Sequence, residues 1–287
     1  MLNESRVFVF PGQGSQEVGM GKTLLEESPI ARETFEIADA ILAKRGWDRT
    51  LRDICLNGPP ELLSDVEITL PAVLTVAVAA NNELRVRSIV PQAVAGHSLG
   101  EYSAMVAAAA LEFPDAVALV AERGKLMKKA GEIRPGGMAA VLGLSLETVE
   151  TLCKRIEEHI PGSTVQIANI NSDAQIVISG DREAIENAAD FAEELGARKT
   201  VVLPVTVAGH SSLMASAAEE MRYVLNSVAI IQPTIPFYSA TTAGRVDNPI
   251  GIKNLLVAQL TGRVLWTETI RNMVADGYTS FLEVGHG

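Results

Sequence analysis

Cysteines, basic residues and long apolar runs are all scarce in this 287-residue chain. Its two cysteines, Cys55 and Cys153, stand about a hundred residues apart, without the spacing of a metal site. The longest apolar segment, residues 70–80, is far shorter than the stretch of about 20 residues that spans a bilayer. The chain also lacks the basic start and apolar run of a secretory signal. We therefore expect a cytoplasmic protein with no metal site and no membrane insertion.

Positive charge is in deficit, because 24 lysines and arginines stand against 35 acidic residues, for a net charge of −11. Proteins that bind nucleic acids generally carry a basic surface, so this balance argues against that class. The length allows one large domain, or a large one with a smaller insertion. An acidic partner would have to bind a local basic patch.

The segment Gly96-His97-Ser98-Leu99-Gly100 has the Gly-x-Ser-x-Gly spacing that places a nucleophilic serine on a sharp turn between a strand and a helix. Residues 88–95 can form the strand, and residues 101–110 are strong helix formers. A side chain at either glycine would crowd the neighbouring strand or helix. The segment thus predicts a nucleophile; the alternative is a glycine-rich loop with an incidental serine.

A second glycine-rich segment follows the strand predicted at residues 6–10. Its sequence, Pro11-Gly12-Gln13-Gly14-Ser15-Gln16, can bring backbone N–H groups close to a ligand. The spacing fits neither a dinucleotide fingerprint nor a phosphate-binding P-loop. We therefore expect a loop with accessible amides that does not bind nucleotides.

Hydrophobic periodicity predicts two early helices, over residues 28–46 and 70–86, with Pro71 in the first turn of the second. Later elements are predicted as strands at 138–144, 164–171, 175–179, 198–205 and 235–239 and helices at 146–159, 182–195, 212–225 and 252–260. The order over residues 138–205 is βαββαβ, that of the ferredoxin-like unit. Because candidate catalytic residues flank this unit, we expect a small subdomain, 131–205, inserted into a larger α/β subdomain, 1–130 and 206–287.

A nucleophilic serine needs a base, normally a histidine, and the chain has four. His97 precedes Ser98 and should point away from its hydroxyl. His159 closes an amphipathic helix, and His286 lies next to the end of the chain. This leaves His210, in a loop before a helix, as the best candidate; its alternative role is that of a loop or capping histidine.

Four motifs in this order resemble the malonyl-CoA:acyl carrier protein transacylases over nearly the whole chain. They are Pro11-Gly12-Gln13-Gly14-Ser15-Gln16, Gly96-His97-Ser98-Leu99-Gly100-Glu101-Tyr102-Ser103-Ala104, Arg123-Gly124-Lys125 and Gly209-His210. The resemblance implies an α/β-hydrolase-like core with a parallel sheet and an inserted ferredoxin-like subdomain. It also implies an acyltransferase of fatty acid biosynthesis whose partners are malonyl-CoA and acyl carrier protein, with no cofactor beyond the CoA thioester substrate.

By this resemblance, Ser98 and His210 form a catalytic dyad, and the backbone N–H groups of Gln13 and Leu99 form an oxyanion hole. Arg123 matches the arginine that binds the malonyl carboxylate, a group that suits the two parallel hydrogen bonds of a guanidinium. Gln259 matches a position whose backbone carbonyl orients the catalytic histidine.

The chain departs from the family pattern at two places. Gly209 stands where a larger residue is usual, which predicts a roomier pocket and leaves the choice between malonyl and methylmalonyl groups open. His286 stands where proline is usual, and the helix that normally follows is missing, which suggests a shortened chain. The sequence leaves the oligomeric state open, and a monomer is compatible with it.

Three alternative functions stay open at this point. A serine esterase or thioesterase would use the same turn but needs an acidic residue behind His210, such as Asp173, Asp181 or Asp190. A catalytically silent module would bind acyl carrier protein without forming an adduct. A trans-acting polyketide acyltransferase would share the chemistry. Two basic clusters are candidate docking sites for the acidic carrier protein: Lys125 with Lys128 and Lys129, and Arg198 with Lys199.

Overall fold

The computed structural model describes residues 6–286, which form a mixed α/β fold with two sheets. Residues 1–5 and Gly287, which the sequence assigns to the larger subdomain, lie outside the described residues. The strands of the described range are β1 (Arg6–Phe10), β2 (Ala93–Gly96), β3 (Gly136–Leu142), β4 (Val165–Ser172), β5 (Gln175–Asp181), β6 (Lys199–Val202), β7 (Phe237–Ser239), β8 (Gly244–Val246) and β9 (Ser280–Glu283).

Helices surround these sheets, and in the described range no helix is long and apolar enough to cross a membrane. The helices are α1 (Lys22–Glu27), α2 (Pro29–Lys44), α3 (Leu51–Asn57), α4 (Pro60–Leu63), α5 (Val66–Val86), α6 (Gly100–Ala107), α7 (Phe113–Ile133), α8 (Leu146–His159), α9 (Arg182–Glu186), α10 (Ala188–Glu194), α11 (Ala215–Asn226), α12 (Pro249–Ala258) and α13 (Trp266–Ala275), with a 3-10 turn at Ser212–Met214.

The larger sheet has the strand order β8-β7-β2-β1-β9, in which β1, β2, β7 and β9 run parallel and β8 is antiparallel. Phe10 of β1 lies opposite Gly96 of β2, which in turn lies opposite Ser239 of β7. The carboxyl ends of these three strands therefore meet at one edge, where open α/β sheets place their ligand sites.

The smaller sheet has the order β4-β5-β3-β6, and all its neighbouring strands are antiparallel. Successive side chains of a strand point to opposite faces. In β3, Ala139 and Val141 pack in one apolar cluster with residues of α8, α9 and α10, whereas Met138 and Leu142 lie in a different cluster with Val177 of β5. One face of this sheet is thus covered by helices, and the other carries a separate set of buried apolar residues.

Local sequence explains where α2 and α5 begin. Ser28 caps α2, because its hydroxyl accepts a hydrogen bond from the amide of Ala31. The prediction for α5 was wrong at its start: the helix begins at Val66, one turn before Leu70, because Asp65 caps it by accepting from the amide of Glu67. Pro71 therefore lies inside the helix and not in its first turn.

Three other predicted elements are divided or have only half of the predicted length. The strand expected over residues 88–95 is only β2, since Ser88 adopts a positive φ of 60° in a turn. The helix expected over 182–195 is divided into α9 and α10 at Asn187, whose side chain donates to the carbonyl of Glu183 at 2.7 Å. The strand expected over 198–205 ends at Val202, ahead of Pro204, which has no N–H to donate to a sheet.

Backbone hydrogen bonds join the smaller sheet to the loop after α12. Val264 donates to the carbonyl of Ala168 at 2.8 Å and accepts from the amide of Ile170 at 2.9 Å. Asn169, between these two residues of β4, pairs with Val264 as an isolated parallel bridge. This loop therefore holds a fixed position against β4, and it carries residues of the site described below.

Candidate active site

Ser98 lies on the turn between β2 and α6, with a φ of 51° that few residues other than glycine adopt. The flanking glycines are required for the reason expected from the sequence. A Cβ atom at Gly96 would lie 2.0 Å from the backbone of Gly100, and one at Gly100 would lie 2.1 Å from the carbonyl oxygen of Phe10. The geometry of the turn is thus that of a nucleophile elbow, with the hydroxyl presented at the sheet edge.

His210 lies within hydrogen-bond distance of Ser98. The distance from Ser98 Oγ to His210 Nε2 is 2.8 Å, and both side chains are buried. On the other side of the ring, Nδ1 faces the backbone carbonyls of Gln259 at 2.8 Å and Gly262 at 3.1 Å. Two acceptors at Nδ1 place the proton there, so Nε2 is left to accept the proton of the Ser98 hydroxyl.

Burial, together with the positive charge of Arg123, lowers the pKa of His210 to about 3. The imidazole is therefore neutral at physiological pH, as a general base must be. In residues 6–286 no carboxylate makes a hydrogen bond to His210. The three candidate acids are elsewhere: Asp173 pairs with Arg271, and Asp181 with Arg134, while Asp190 lies in the first turn of α10.

His97 points away from Ser98, as predicted. Its Nε2 lies 2.9 Å from Oδ1 of Asn171 and 3.3 Å from Nδ2 of Asn169, both in β4. Its ring also makes an edge contact with Trp266, with the ring centroids 5.5 Å apart. His97 therefore ties the elbow to the smaller sheet and does not contact the nucleophile.

The amides of Gln13 and Leu99 are free to bind an anion, since neither donates a hydrogen bond to any other described residue. The Gln13 loop approaches the elbow closely, because a Cβ atom at Gly12 would lie 2.4 Å from the carbonyl oxygen of His97. The same loop is held by its own side chains, with Ser15 Oγ donating to the carbonyl of Gly12 at 3.0 Å. The amide of Gln13 is thus held beside the elbow, which itself supplies the amide of Leu99.

Arg123 of α7 is 2% exposed and reaches Ser98 and Gln259. Its Nη2 lies 3.5 Å from Ser98 Oγ and 3.3 Å from Oε1 of Gln259. Its guanidinium stands over the ring of Tyr102 at 5.8 Å, and its Nε is buried with no hydrogen-bond partner among the described residues. A buried guanidinium with an unused N–H is suited to bind an anionic group of a ligand.

Sequence reasoning gave no role to Glu101, although it is part of the serine motif. Its side chain is 1% exposed and accepts hydrogen bonds from Ser239, Ala240 and Gln259. Burial raises the pKa of this carboxyl to about 7. The available signal was an acidic residue in the first turn of an otherwise apolar helix, where a carboxylate needs partners.

A cavity of about 310 Å³ is lined on one side by Ser98, Arg123, His210 and Gln13. Its opposite wall comes from the smaller sheet, on the face away from α8, α9 and α10, and from the segment after β6. The apolar side chains of this wall are Met138, Val177, Leu203, Pro204 and Val205, and its polar side chains are Asn169 and Asn171. No group of three or more potential metal-ligating residues occurs in the part of the chain that the structure describes.

The two candidate docking clusters differ in how their charges are balanced. Lys128 pairs with Asp65 at 2.7 Å and with Glu67 at 3.1 Å, and Lys129 pairs with Glu220 at 2.7 Å. Arg198 and Lys199, in contrast, are exposed and form no ion pair with the residues that the structure describes. Lys125 of the first cluster is also exposed and forms no ion pair with the described residues, so the first cluster has one unbalanced charge and the second has two.

Comparison with known proteins places this geometry in a family. Residues 7–286 match the acyl transferase domain. The chain is 40% identical to the malonyl CoA-acyl carrier protein transacylase of Bacillus subtilis, over 98% of this chain and 86% of that protein. It is 39% identical to the polyketide biosynthesis malonyl CoA-acyl carrier protein transacylase of the same organism, over 98% and 92%.

The fold agrees with this assignment. The structure of the malonyl CoA-acyl carrier protein transacylase from Coxiella burnetii matches with a TM-score of 0.93 and 37% identity, over 99% of this chain and 88% of that one. The chain therefore belongs to the acyl transferase family, among relatives that are malonyl CoA-acyl carrier protein transacylases.

Proposed function

We propose that the protein transfers the malonyl group of malonyl-CoA to the pantetheine thiol of acyl carrier protein through a malonyl ester of Ser98. The observation that carries this proposal is the buried, incompletely bonded guanidinium of Arg123 beside the Ser98–His210 pair. A nucleophile alone would fit many acyl donors, whereas a buried cation next to it favours a donor with a free carboxylate.

In the first half-reaction, Ser98 Oγ attacks the thioester carbonyl carbon while His210 Nε2 takes the hydroxyl proton. The carbonyl oxygen becomes an anion, which the amides of Gln13 and Leu99 bind. The intermediate then collapses: the carbon–sulfur bond breaks, His210 returns its proton to the CoA sulfur, and the malonyl ester of Ser98 remains. Each loss of one such anion donor typically costs about 10²–10³ in rate.

The second half-reaction is the reverse of the first with a different thiol. His210 takes the proton of the pantetheine thiol, whose sulfur attacks the ester carbonyl, and the proton returns to Ser98 as the ester bond breaks. One site thus serves both steps in a ping-pong mechanism. All groups in these steps belong to the chain or its substrates, so the proposal includes no cofactor.

A dyad, and not a hydrolase triad, fits the site best. The backbone carbonyls of Gln259 and Gly262 can fix the tautomer of His210 but carry no full charge to balance an imidazolium. This difference argues against the esterase or thioesterase alternative. The silent-module alternative is also disfavoured, since a bonded serine–histidine pair in a cavity is not needed for binding alone.

We further propose a division of the chain into two subdomains. We assign residues 1–130 and 206–287 to an α/β-hydrolase-like subdomain and residues 131–205 to a ferredoxin-like one. The support is the parallel sheet of the first, and in the second the βαββαβ order with an antiparallel sheet of order β4-β5-β3-β6. The cavity between them would receive the pantetheine arm.

For the carrier protein, we assign the attraction to Arg198 and Lys199, whose charges are unpaired among the described residues. Charge reversal at both should slow transfer to the carrier, most strongly at low salt. The matched control reverses Lys128 and Lys129, whose charges are already balanced, and should slow transfer less. An equal effect of the two pairs would contradict the assignment.

The pathway is fatty acid synthesis in this proposal, with polyketide synthesis as the second candidate because a polyketide relative is 39% identical.

Intact mass spectrometry after mixing with malonyl-CoA tests the chemistry. The wild type should gain a malonyl group that Ser98→Ala does not gain, and a holo carrier protein should remove it. An adduct lost only to water would favour the hydrolase, and comparison of fatty-acid and polyketide carriers would distinguish the pathways.

A further inference from the structure

Glu101 contributes a buried carboxylate that the proposed reaction does not use. Its Oε1 accepts hydrogen bonds from Ser239 Oγ at 2.8 Å and from the amide of Ala240 at 2.6 Å. Its Oε2 accepts from Nε2 of Gln259 at 2.6 Å. Donors thus converge on both oxygens, so this position requires an acceptor on each side.

The bond to Glu101 decides which way the side-chain amide of Gln259 faces. Nε2 of Gln259 donates both to Glu101 and to the backbone carbonyl of Ser98, at 3.0 Å. Its Oε1 is thereby turned toward Nη2 of Arg123, at 3.3 Å. In the reversed amide, an NH₂ group would face the guanidinium and an oxygen would face two acceptors, which is unfavourable on both sides.

We infer that Glu101 is a positioning residue: it fixes the side-chain amide of Gln259, which in turn holds Arg123 where it can bind the substrate carboxylate. This inference rests on the proposed function, and it makes Glu101 one of the residues that determine the choice of acyl donor. The buried Nε of Arg123 has no partner among residues 6–286, so Gln259 and Ser98 are the hydrogen-bond partners that orient the guanidinium above the ring of Tyr102. Glu101 therefore acts on substrate choice through two other side chains and without touching the substrate.

Glu101→Gln tests this chain of contacts, because it keeps the shape of the side chain and replaces one acceptor by a donor. The measurement is the rate of Ser98 acylation by malonyl-CoA and by acetyl-CoA. We expect kcat/KM for malonyl-CoA to fall about tenfold, the scale of one hydrogen bond to a charged group, and acetylation to fall less than about twofold. A general loss of folded enzyme would lower both rates equally and would overturn the inference.

The double variant with Arg123→Ala makes the test specific. If Glu101 acts through Arg123, then Glu101→Gln lowers the malonyl-to-acetyl ratio in the wild type and not in the Arg123→Ala background. Independent effects in the double variant would contradict the inference. Asp39→Asn is the matched control, since the carboxylate of Asp39 accepts from the amide of Leu51 at 2.6 Å and does not line the cavity; it should keep the wild-type ratio.

Gln259→Leu removes the same link from the other side and decides the question if Glu101→Gln does not fold. It keeps the backbone carbonyl that faces His210 and deletes only the side-chain amide. We expect the same fall in the malonyl-to-acetyl ratio, and an unchanged ratio would overturn the inference. A wild-type enzyme that forms no malonyl adduct would instead contradict the proposed function, so the two failures are distinguishable.

Discussion

The two walls of the cavity are built on different principles. The wall from the larger sheet carries Ser98, Arg123 and His210, and hydrogen bonds hold each of these side chains. The opposite wall comes from the smaller sheet and the segment after β6, and most of its side chains are apolar, such as Met138, Val177 and Leu203. Its polar side chains, Asn169 and Asn171, lie against His97. The first wall can move protons and bind charge, whereas the second mainly shapes the space. Proton transfer and the shape of the cavity are thus assigned to different parts of the chain.

Among changes to the wall that carries Ser98, Arg123 and His210, we expect the largest effect from His210→Ala. Without the base, Ser98 keeps its proton, and we expect the acylation rate to fall by about 10²–10⁴ for every acyl donor. Rapid-quench mass spectrometry of the Ser98 adduct measures this rate. His97→Ala is the matched control, since His97 bonds to Asn171 and not to Ser98. The acylation rate of this variant should fall much less. Similar losses for the two histidines would argue against His210 as the base.

Arg123→Ala should impair the reaction mainly for acyl donors that carry a free carboxylate. Two charge-assisted hydrogen bonds to a carboxylate contribute about 1.5–3 kcal/mol each, so malonyl transfer should fall at least about a hundredfold. Acetyl transfer, which needs no carboxylate contact, should fall far less. The two rates are compared by adduct formation from malonyl-CoA and acetyl-CoA. Equal losses for both donors would exclude Arg123 as the carboxylate-binding residue.

Gly209→Ala tests whether the size of the cavity decides which acyl group is transferred. A Cβ atom there would make ordinary contacts, at 3.7 Å to Met127 and 3.8 Å to Met138, so the variant should fold and the cavity should become smaller. We expect methylmalonyl transfer to fall about tenfold relative to malonyl transfer, the scale of one methyl group in a close-fitting pocket. Competition between the two CoA esters measures the ratio.

The control for this change is Gly137→Ala. A Cβ atom at Gly137 would meet Ile185 at 3.5 Å, on the helix-covered face of the smaller sheet. Its methylmalonyl-to-malonyl ratio should equal that of the wild type. If both alanine variants changed the ratio equally, the cavity wall would not be the cause.

The smallest expected effect is on pH dependence. The positive charge of Arg123 contributes to the low pKa of His210, so Arg123→Ala should raise that pKa. Protonated His210 cannot act as a base, so the rate falls as the pH drops through its pKa, and in the variant this fall should begin at a higher pH. Acetylation, measured by adduct formation across the acidic range, reports the shift. An unmoved profile would show that the two charges do not interact.

The parts of the fold that the sequence predicts best are those set by local patterns. The elbow at Ser98 depends on two glycines and on contiguous strand and helix formers, so its geometry can be read from one segment. The amphipathic period of residues 146–159 likewise predicts α8 with its observed bounds. The start of α5 was missed because Pro71 is the more visible signal, although the cap at Asp65 decides the first turn.

The candidate site is predicted in part. Elimination among four histidines favours His210, but only the resemblance to a family points to Arg123 and Gln259, because the contact between these two side chains joins positions 136 residues apart. The role of Glu101 escapes any local pattern for the same reason: its partners come from β7 and the end of α12. A motif gives the identity of such a residue, whereas only packing shows what it bonds to.

The bridge between β4 and Val264 has a mechanical consequence. Val264 follows Gly262, whose carbonyl faces the ring of His210, whereas Ser98 is fixed to the larger sheet by its elbow. The same loop is also bonded to the larger sheet, because Gln259 Nε2 donates to the carbonyl of Ser98 and the amide of Leu265 donates to the carbonyl of Ala240. The loop that holds the ring of His210 is therefore tied to both sheets, and a slide of one sheet against the other would have to stretch these bonds before it could separate the serine from the histidine.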